Sequence, residues 1–478
     1  MCARRLAPVR THPPHAHTDN LMRIKFSLVK AALPSAPALV LGGVLTAGLL
    51  ALHVALVPLV FRYSKTFRRS LIFANFVQWP LYTNFEDPAA SGIEGARNLS
   101  IEYQSKVDNC PIKIGIWHIL PKTAYERLKG HFNGTDKEQL NRILDEELAN
   151  SRTPIMLYCH GNSNSRAASH RIQLYKFFQK MEFHTIAFDY RGYGDSTNVH
   201  PSEDGVVEDS LMVYEWLQTT IDKGPEKPSL FVWGHSLGTG ISSHLLGNLD
   251  TLSSRLLERP ALPMPNGLIL EAPFNNLADE VAHHPLSKLV TWLPYYELAF
   301  VSQFVSRAEH CFRSDAHLAR APRLPVAILH ARDDVIVPHA VGAKPSVIYT
   351  AANQSSRDKT TQCHAARRAY RSLVECCAAP PALFAPYCLF IRMRIIYLYE
   401  SIRQSRAAGG APVVFHSYEK SESLGHKWIC NAKDLPQVIG WWRALGEAYV
   451  QQCTSFGWHC DDDEDGCAST ERKKEKFI

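Results

Sequence analysis

The sequence predicts an α/β fold, a mostly parallel β-sheet flanked by helices, with a helical lid and one N-terminal transmembrane helix. Three observations support this prediction. Short apolar runs alternate with amphipathic stretches over roughly 330 residues, a rhythm typical of sheets built from strand–helix–strand units. A long uncharged apolar run precedes them, and an aromatic-rich stretch at 275–310 interrupts them after a predicted strand.

The composition is that of a packed globular protein. Of 478 residues, 46% are apolar and 21% are charged, which excludes a disordered chain. Lys and Arg number 52 against 46 Asp and Glu, and this balance of +6, spread along the chain, does not favour nucleic-acid binding. Twelve cysteines in a chain of this length do not make a disulfide scaffold.

The N-terminal apolar run is long enough to cross a bilayer. It extends from Ala38 to Phe61, 24 residues without Asp, Glu, Lys or Arg. At 1.5 Å per residue this is about 36 Å of helix, against a hydrocarbon core of about 30 Å. A cleavable signal peptide fits less well, because its apolar core is shorter and lies nearer the terminus. We therefore predict a single transmembrane anchor at 38–61, preceded by an N-terminal tail at 1–37.

The sequence signals for the orientation of the chain in the membrane disagree with one another. Basic residues flank the span on both sides, so the positive-inside rule does not decide. The sequons at Asn98, Asn133 and Asn353 weakly favour a lumenal, glycosylated domain, although their number is close to that expected by chance. The C-terminal Lys474-Glu-Lys476-Phe-Ile resembles a dilysine retrieval signal, which acts in the cytosol, or is simply a solvated charged end.

The globular part is predicted to contain seven strands with helices between them, including three long ones. The strands are short apolar runs bounded by turn residues, at 113–120, 155–160, 185–190, 230–233, 268–270, 326–330 and 413–418. The helices are amphipathic stretches at 169–180, 207–220 and 435–449.

The predicted domain organisation follows from these elements. A linker and the start of the globular domain occupy 62–110, the α/β domain 111–452 and a charged tail 453–478. Within the domain, 275–310 is predicted to form the lid, and the alternative is an ordinary surface helix pair. The stretch 362–394, with four cysteines among Arg and Pro, is too long for a loop of a compact domain. We interpret it as a disordered insert, an alternative exon or a gene-model error rather than a functional module.

The strongest chemical signal is the pentapeptide Gly234-His-Ser236-Leu-Gly238. The pattern G-x-S-x-G alone is weak, but here it follows an apolar strand and precedes a helix-compatible stretch. On such a turn the serine hydroxyl stands clear of the sheet, and small neighbours are needed because backbone segments approach closely. Ser236 is therefore the candidate nucleophile, and the competing interpretation is a glycine-rich helix start with an idle serine.

A serine nucleophile needs a base, and the base needs an orienting carboxylate; in this architecture they follow in the order Ser, acid, His. Asp334 is the candidate acid, since it lies in a loop after a predicted strand and four residues before a proline, while Asp333 stays an alternative. His426 is the candidate base, in a polar loop between the last strand and the last helix. His416, within a strand, is interpreted as structural, and His364 lies in the cysteine-rich stretch.

Two backbone N–H donors are needed for the negative charge that develops on the attacked carbonyl oxygen. Leu237 supplies one by its place directly after the serine. Asn162, in the run His160-Gly-Asn162 that closes an early strand, is the candidate for the second, and the alternative there is an ordinary turn. The sequence contains no evident motif for a metal or an organic cofactor, so none is expected.

The stretches around Asn162, Ser236 and Asp334 together resemble the α/β-hydrolase superfamily. More narrowly, the chain resembles the α/β-hydrolase domain-containing protein 12 family. The stretches that carry this resemblance are Asp189-Tyr-Arg-Gly-Tyr-Gly-Asp-Ser196, Trp233-Gly-His-Ser-Leu-Gly-Thr-Gly240, Leu270-Glu-Ala-Pro-Phe-Asn-Asn276 and Leu424-Gly-His-Lys-Trp428. The resemblance covers about 110–345 and 395–445 and the position of the anchor, whereas the cysteine-rich stretch and the acidic tail depart from it.

The resemblance implies a single-pass serine hydrolase of the endoplasmic-reticulum membrane, with a lumenal hydrolase domain, that acts on lysophosphatidylserine and monoacylglycerols. It implies Ser236 as nucleophile, Asp334 as orienting acid and His426 as base, with no metal or organic cofactor. We therefore predict hydrolysis of acyl esters of single-chain lipids from the bilayer, and no nucleic-acid partner. The competing hypotheses are an acyl-protein thioesterase or peptidase with the same triad, and a catalytically idle membrane binding protein.

Charge is the only feature of the sequence that bears on which lipid headgroup the site would prefer. A phosphoserine headgroup would need a cationic partner, and Lys427 and Arg191 are the two candidates near the predicted site residues. Either could equally be a solvated or a scaffold residue.

Overall fold

The computed structural model describes residues 36–132, 134, 136–304, 311–337, 394–406 and 410–455. By its internal contacts the chain divides into two units, the first ending at Leu59 and the second beginning at Val60. The tail beyond residue 455 and all of the cysteine-rich stretch except Arg394, including His364, lie outside the described residues. So do the sequon asparagines Asn133 and Asn353.

The first described element is a long apolar helix. It comprises the α-helix Ala36–Ala51, a π-helical turn Leu52–Leu56 and the α-helix Val57–Tyr63. Its part Val40–Tyr63, 24 residues, is long and apolar enough to cross a membrane. Of the most apolar 18-residue stretch of this helix, only 11% is buried, whereas the core helix of a soluble protein would be mostly buried. By length and composition this helix agrees with the predicted span, and it continues two residues further.

Eight strands form one sheet in the described part of the chain. They are β1 Ala96–Gln104, β2 Pro111–Ile119, β3 Ile155–Cys159, β4 His184–Phe188, β5 Leu230–His235, β6 Gly267–Glu271, β7 Val326–Ala331 and β8 Val413–Tyr418. Their order in the sheet is β1-β2-β4-β3-β5-β6-β7-β8. The strands β3 to β8 run parallel to one another, and β2 is antiparallel to both β1 and β4. The prediction of a mostly parallel sheet is therefore confirmed.

The central strands are apolar throughout because helices cover both faces of the sheet. Every residue of β3, β4, β5, β6 and β7 is buried, as expected for strands of a parallel sheet between helical layers. On one face, helices Ser169–Lys180 and Leu435–Ser455 pack on the sheet through a core that includes Phe178, Trp233 and Trp442. The helix that follows β5 contacts β3, β5 and β6.

The remaining helices connect the strands. The helix Ser169–Lys180 has its predicted bounds. The predicted helix 207–220 begins four residues earlier, at Glu203, because the Ser202 hydroxyl accepts a hydrogen bond from the Gly205 N–H and caps the helix. The other α-helices of the described residues are Lys65–Phe73, Lys122–Leu128, Lys137–Ala149, Leu237–Gly247, Leu249–Leu252, Leu277–His283, Ser314–Leu318 and Arg394–Ser405.

Strand β1 is not among the predicted strands, because its residues lie in the stretch 62–110, for which the sequence predicts a linker and the start of the globular domain. The strand is rich in polar residues, and from Ser100 onward its side chains alternate between part-buried and exposed positions. Within the described residues it pairs only with β2, at the edge of the sheet. Edge strands often carry polar side chains, so their sequence signal is weak.

The predicted lid, 275–310, forms short helical segments in its described part. After the α-helix Leu277–His283 come the turns Pro285–Leu289, Glu297–Val301 and Ser302–Phe304, while residues 305–310 lie outside the described part. Its helical character is thus confirmed, and its role as a lid stays a prediction. Four large apolar side chains of this stretch are more than half exposed: Leu286, Leu289, Trp292 and Leu298.

Arg191 belongs to the scaffold, and the suggestion that it could meet a headgroup is wrong. Its side chain is fully buried, and the guanidinium donates hydrogen bonds to Asp209 (Nε to Oδ1, 3.0 Å) and Glu208 (Nη2 to Oε2, 2.7 Å). A third carboxylate, that of Asp108, also accepts from it. A buried charge that three carboxylates neutralise is not available to a ligand.

Asn98, one of the three sequon residues, is also buried. It lies in β1 with 8% of its surface exposed. Its amide nitrogen donates to Glu86 Oε1 (2.9 Å), and its amide oxygen accepts from Arg166 Nη2 (2.8 Å). A glycan on this nitrogen would disrupt both bonds, so the folded structure does not support glycosylation at Asn98.

Candidate active site

Ser236 lies on the sharp turn between β5 and the helix Leu237–Gly247, with φ 51° and ψ −117°. A positive φ is strained for a non-glycine residue and is typical of such nucleophile turns. The flanking glycines follow from close packing. A Cβ on Gly234 would lie 2.6 Å from the Gly238 carbonyl oxygen, and one on Gly238 would lie 2.0 Å from the Cys159 carbonyl oxygen. The turn therefore excludes side chains on both sides of the serine.

The structure brings the three predicted triad residues together. Ser236 Oγ lies 2.9 Å from His426 Nε2, and His426 Nδ1 lies 2.7 Å from Asp334 Oδ2. Because a carboxylate can only accept, Nδ1 carries the ring proton, and Nε2 is left to accept the proton of the Ser236 hydroxyl. Ser236 and Asp334 are 9% and 4% exposed. The arrangement can therefore deprotonate a serine hydroxyl in place.

Asp334, and not Asp333, is the carboxylate that faces His426. Its other oxygen, Oδ1, accepts from the N–H groups of Ile336 (2.9 Å) and Val337 (3.0 Å). Burial acts to raise the pKa of Asp334, but the hydrogen bond and charge of His426 outweigh it, and the pKa lies below its ordinary value. Asp334 is thus held as an acceptor beside the ring.

Two neighbouring groups position the loop that carries His426. Asp333 Oδ2 accepts from the Gly425 N–H (2.9 Å), and His235 Nε2 lies 2.9 Å from the His426 carbonyl oxygen, to which it can donate. Sequence reasoning gave neither residue this role. The available signal for His235 was its place inside G-x-S-x-G. His416, interpreted as structural, pairs instead with Asp434 (3.1 Å).

The two predicted oxyanion donors lie on segments that approach each other. Leu237 is the first residue of its helix, where N–H groups have no partner within the helix. Asn162 follows β3, and a Cβ on the adjacent Gly161 would lie 3.1 Å from Ser236 Cβ. Among the described residues, neither the Leu237 N–H nor the Asn162 N–H donates a hydrogen bond within the protein. Both donors are therefore available to a bound oxyanion.

Glu271, at the end of β6, lies directly behind Ser236. Its carbonyl oxygen accepts from the Ser236 N–H (3.0 Å), and its buried carboxyl oxygen Oε2 accepts from Trp233 Nε1 (2.7 Å). Burial raises the pKa of Glu271 to about 8, the Trp233 bond opposes this rise, and the Asp334 charge adds to it. Lys427, which is exposed, lines the same small cavity as Glu271 and His235, and partial desolvation of its amine lowers its pKa.

We expect Glu271→Gln to remove a pH dependence of stability. Because the folded-state pKa is raised from 4.5 to about 8, the stability present at low pH is lost as the pH rises through this interval. The slope from this one group reaches at most about 1.4 kcal/mol per pH unit. Thermal unfolding of wild type and variant between pH 5 and pH 8.5 tests this: the difference in Tm should grow in favour of the variant as the pH rises. Parallel curves would contradict the expectation.

One cluster among the described residues has metal-ligating side chains: Glu203, His244 and His317, whose ligand atoms lie within 4.8 Å of one another. Its polar atoms have protein partners, since His244 Nδ1 bonds Glu203 Oε1 (2.8 Å) and Asn248 Nδ2 bonds His317 Nδ1 (2.9 Å). The two imidazole rings are stacked, with centroids 4.1 Å apart and an interplanar angle of 16°. The in-plane lone pairs of nearly parallel rings do not converge on one ion, so we interpret the cluster as structural.

Comparison with known proteins identifies the family of the chain. A family model described as alpha/beta hydrolase fold matches residues 154–256. Lysophosphatidylserine lipase ABHD12 of Danio rerio is 34% identical over 307 residues, which cover 64% of this chain and 72% of the relative. That of Rattus norvegicus is 33% identical over 306 residues (64% and 69%), and protein ABHD12B of Homo sapiens is 30% identical over 289 residues (60% and 70%). The chain therefore belongs to the ABHD12 family of proteins with the α/β-hydrolase fold.

Proposed function

We propose that this protein is a membrane-anchored serine hydrolase that cleaves acyl esters of single-chain lipids, lysophosphatidylserine or monoacylglycerol. Ser236 is the nucleophile, His426 the general base, Asp334 the orienting acid, and the N–H groups of Leu237 and Asn162 the oxyanion donors. The observation that carries the proposal is the hydrogen-bonded chain from Ser236 Oγ through His426 to Asp334. Its family relatives, which are named lysophosphatidylserine lipases, support the substrate class.

In the proposed reaction, Ser236 Oγ attacks the acyl carbonyl carbon while His426 Nε2 takes the hydroxyl proton. The Leu237 and Asn162 N–H groups stabilise the oxyanion of the tetrahedral intermediate. When the intermediate collapses, the imidazolium protonates the leaving alkoxide of the glycerol moiety, and an acyl-Ser236 ester remains. A water molecule, deprotonated by His426, then attacks this ester and releases the fatty acid.

Two features support a lipid substrate that comes from a bilayer. The helix Val40–Tyr63 is long and apolar enough to hold the chain in a membrane, where the local concentration of lipid is high. The stretch after β6 exposes large apolar side chains, among them Leu289 and Trp292, which could contact an acyl chain or the membrane surface. From the family resemblance we infer an endoplasmic-reticulum location with a lumenal hydrolase domain.

The test is turnover by the full-length protein in lipid nanodiscs. We expect release of fatty acid from lysophosphatidylserine and monoacylglycerol to be faster than from two-chain phosphatidylserine or from an acyl thioester. A fluorophosphonate should form one covalent adduct, found by mass spectrometry on the peptide that contains Ser236. In sealed microsomes, external protease should abolish the activity only after detergent opens the membrane.

Each of these measurements tests a different part of the proposal. Absence of turnover on all these esters, or an adduct on another residue, would overturn the proposed mechanism. Faster turnover of the thioester would instead favour a thioesterase with the same triad. Loss of activity to protease in intact microsomes would place the hydrolase domain on the cytosolic side.

A further inference from the structure

The oxyanion loop, residues 161–164, lies against a segment that comes shortly after the apolar helix in the sequence. We call this segment, residues 72–79, the strap. Four hydrogen bonds of the described residues join the two segments; each uses a backbone atom of the strap, and two use a side chain of the loop. They are Asn162 Nδ2 to Ile72 O (3.3 Å), Ser163 N to Phe73 O (3.1 Å), Asn164 N to Val77 O (2.7 Å) and Trp79 N to Asn164 Oδ1 (2.7 Å).

The oxyanion loop has a backbone conformation that needs such support. Ser163 and Asn164 both have positive φ values, 61° and 56°, in the left-handed region that non-glycine residues rarely adopt. On the inner side, the buried Arg171 guanidinium donates to the carbonyl oxygens of Gly161 (3.2 Å), Ser163 (2.9 Å) and Ser165 (2.6 Å). The strap supplies the bonds on the other side, so the loop is clamped between them.

The strap itself is fixed to the fold. Asn75 Nδ2 donates to the Gly192 carbonyl oxygen (3.1 Å), and the Tyr193 hydroxyl donates to the Phe73 carbonyl oxygen. Gly192 and Tyr193 lie in the turn after β4, next to the buried Arg191 and its carboxylate partners. These bonds hold the strap in a fixed position on the scaffold, and the strap in turn holds the oxyanion loop in place.

Asn164 makes two of the four bonds, one from its backbone N–H to Val77 and one from the Trp79 N–H to its side-chain oxygen. An oxyanion donor must lie about 2.7–3.1 Å from the charged oxygen, and a displacement of about 1 Å can cost roughly 100-fold in rate. We propose that Asn164 is a positioning residue. Its two bonds to the strap fix the oxyanion loop, and through the loop they fix the Asn162 N–H that stabilises the oxyanion.

This inference rests on the proposed function, because it concerns the same oxyanion site. Three variants separate positioning from a purely structural role. Asn164→Asp keeps both the side-chain acceptor and a residue that tolerates the left-handed conformation. Asn164→Gly keeps the conformation but loses the acceptor, and Asn164→Ala loses both. All are measured as full-length protein in detergent, with the water-soluble ester p-nitrophenyl butyrate, so that access to a bilayer does not limit the rate.

We expect Asn164→Gly and Asn164→Ala to lower kcat about 100-fold with little change in KM, because the oxyanion forms after the substrate binds. Asn164→Asp should stay within about tenfold of wild type, since the Trp79 bond is kept while a nearby negative charge is added. Only Asn164→Ala should lower Tm clearly, by about 2–4 °C. For Asn164→Gly and Asn164→Ala the pH dependence of kcat/KM should not change, because His426 is untouched and no charge is added.

A kcat of Asn164→Gly equal to that of wild type would overturn the proposal, as would losses of kcat that simply follow the losses of Tm across the three variants. The proposed function fails differently. If wild-type protein neither hydrolyses esters nor reacts with a fluorophosphonate at Ser236, the mechanism itself is wrong; if it does both and Asn164→Gly is unaffected, only the positioning role is lost.

Discussion

Replacing Ser236 by alanine should lower kcat for hydrolysis of a single-chain lipid ester by about a million-fold. In the proposed mechanism the Oγ atom forms the bond to the acyl carbon, and without it His426 Nε2 loses its hydrogen-bond partner at 2.9 Å. Water would then have to attack the lipid ester directly, and no acyl-enzyme would form. The residual rate should be the rate of this direct attack by water, supported only by the oxyanion donors and by substrate binding. Fatty-acid release and fluorophosphonate labelling of the purified variant measure both losses.

Ser243 offers a matched control on the helix that follows the nucleophile. Its hydroxyl is buried and has no hydrogen-bond partner within the described part of the protein. Ser243→Ala should therefore keep kcat and labelling within about twofold of wild type, since truncation there removes no bond. Turnover by Ser236→Ala at more than about a thousandth of the wild-type rate would contradict the assigned nucleophile.

The positions of Ser236, Asp334 and His426 could be predicted because each follows an apolar run that forms a strand. Parallel strands have their carboxyl ends at one edge of the sheet, so residues that follow β5, β7 and β8 meet there. The same rule placed Asn162 after β3. For Ser236, His426 and Asn162, chain order and strand position were sufficient.

For the acid, chain order and strand position left Asp333 as an alternative, and only the spacing of four residues to Pro338 favoured Asp334. Adjacent residues in a turn point in different directions, and here the N–H groups of Ile336 and Val337 orient the Asp334 carboxylate. The roles of His235 and Glu271 were equally hidden, because each depends on contacts between segments far apart in sequence. His235 meets the carbonyl oxygen of His426, 191 positions later in the sequence.

The role of a charged scaffold residue likewise depends on contacts between segments far apart in sequence. Arg191 resembles a ligand-binding arginine in the sequence, since it lies in a glycine-rich turn after a strand. Its burial among carboxylates of other segments, Asp108, Glu208 and Asp209, decides its role, and that burial depends on the tertiary fold. Strand β1 could not be predicted for a related reason, because an edge strand buries few side chains.

Asp334→Asn should lower kcat by about 10⁴-fold while the fold stays intact. In the wild type, Oδ1 accepts the N–H groups of Ile336 and Val337, and Oδ2 accepts the His426 Nδ1–H. The asparagine oxygen must keep the two backbone donors, so its NH₂ group faces Nδ1. The imidazole then accepts at Nδ1 and carries its proton on Nε2, and in that tautomer it cannot take the proton of Ser236.

Asp333→Asn is the control, one residue away and with the same change of charge. Its amide oxygen can still accept from the Gly425 N–H, which the carboxylate accepts at 2.9 Å, so kcat should fall by no more than about fivefold. Measurement of kcat and Tm for both variants distinguishes a tautomer effect from a loss of charge near the base. If removal of charge were sufficient, the two variants would lose similar activity. If Asp333 were the orienting acid, the larger loss would belong to Asp333→Asn, and the hydrogen-bonded chain from Ser236 to Asp334 would not be the catalytic one.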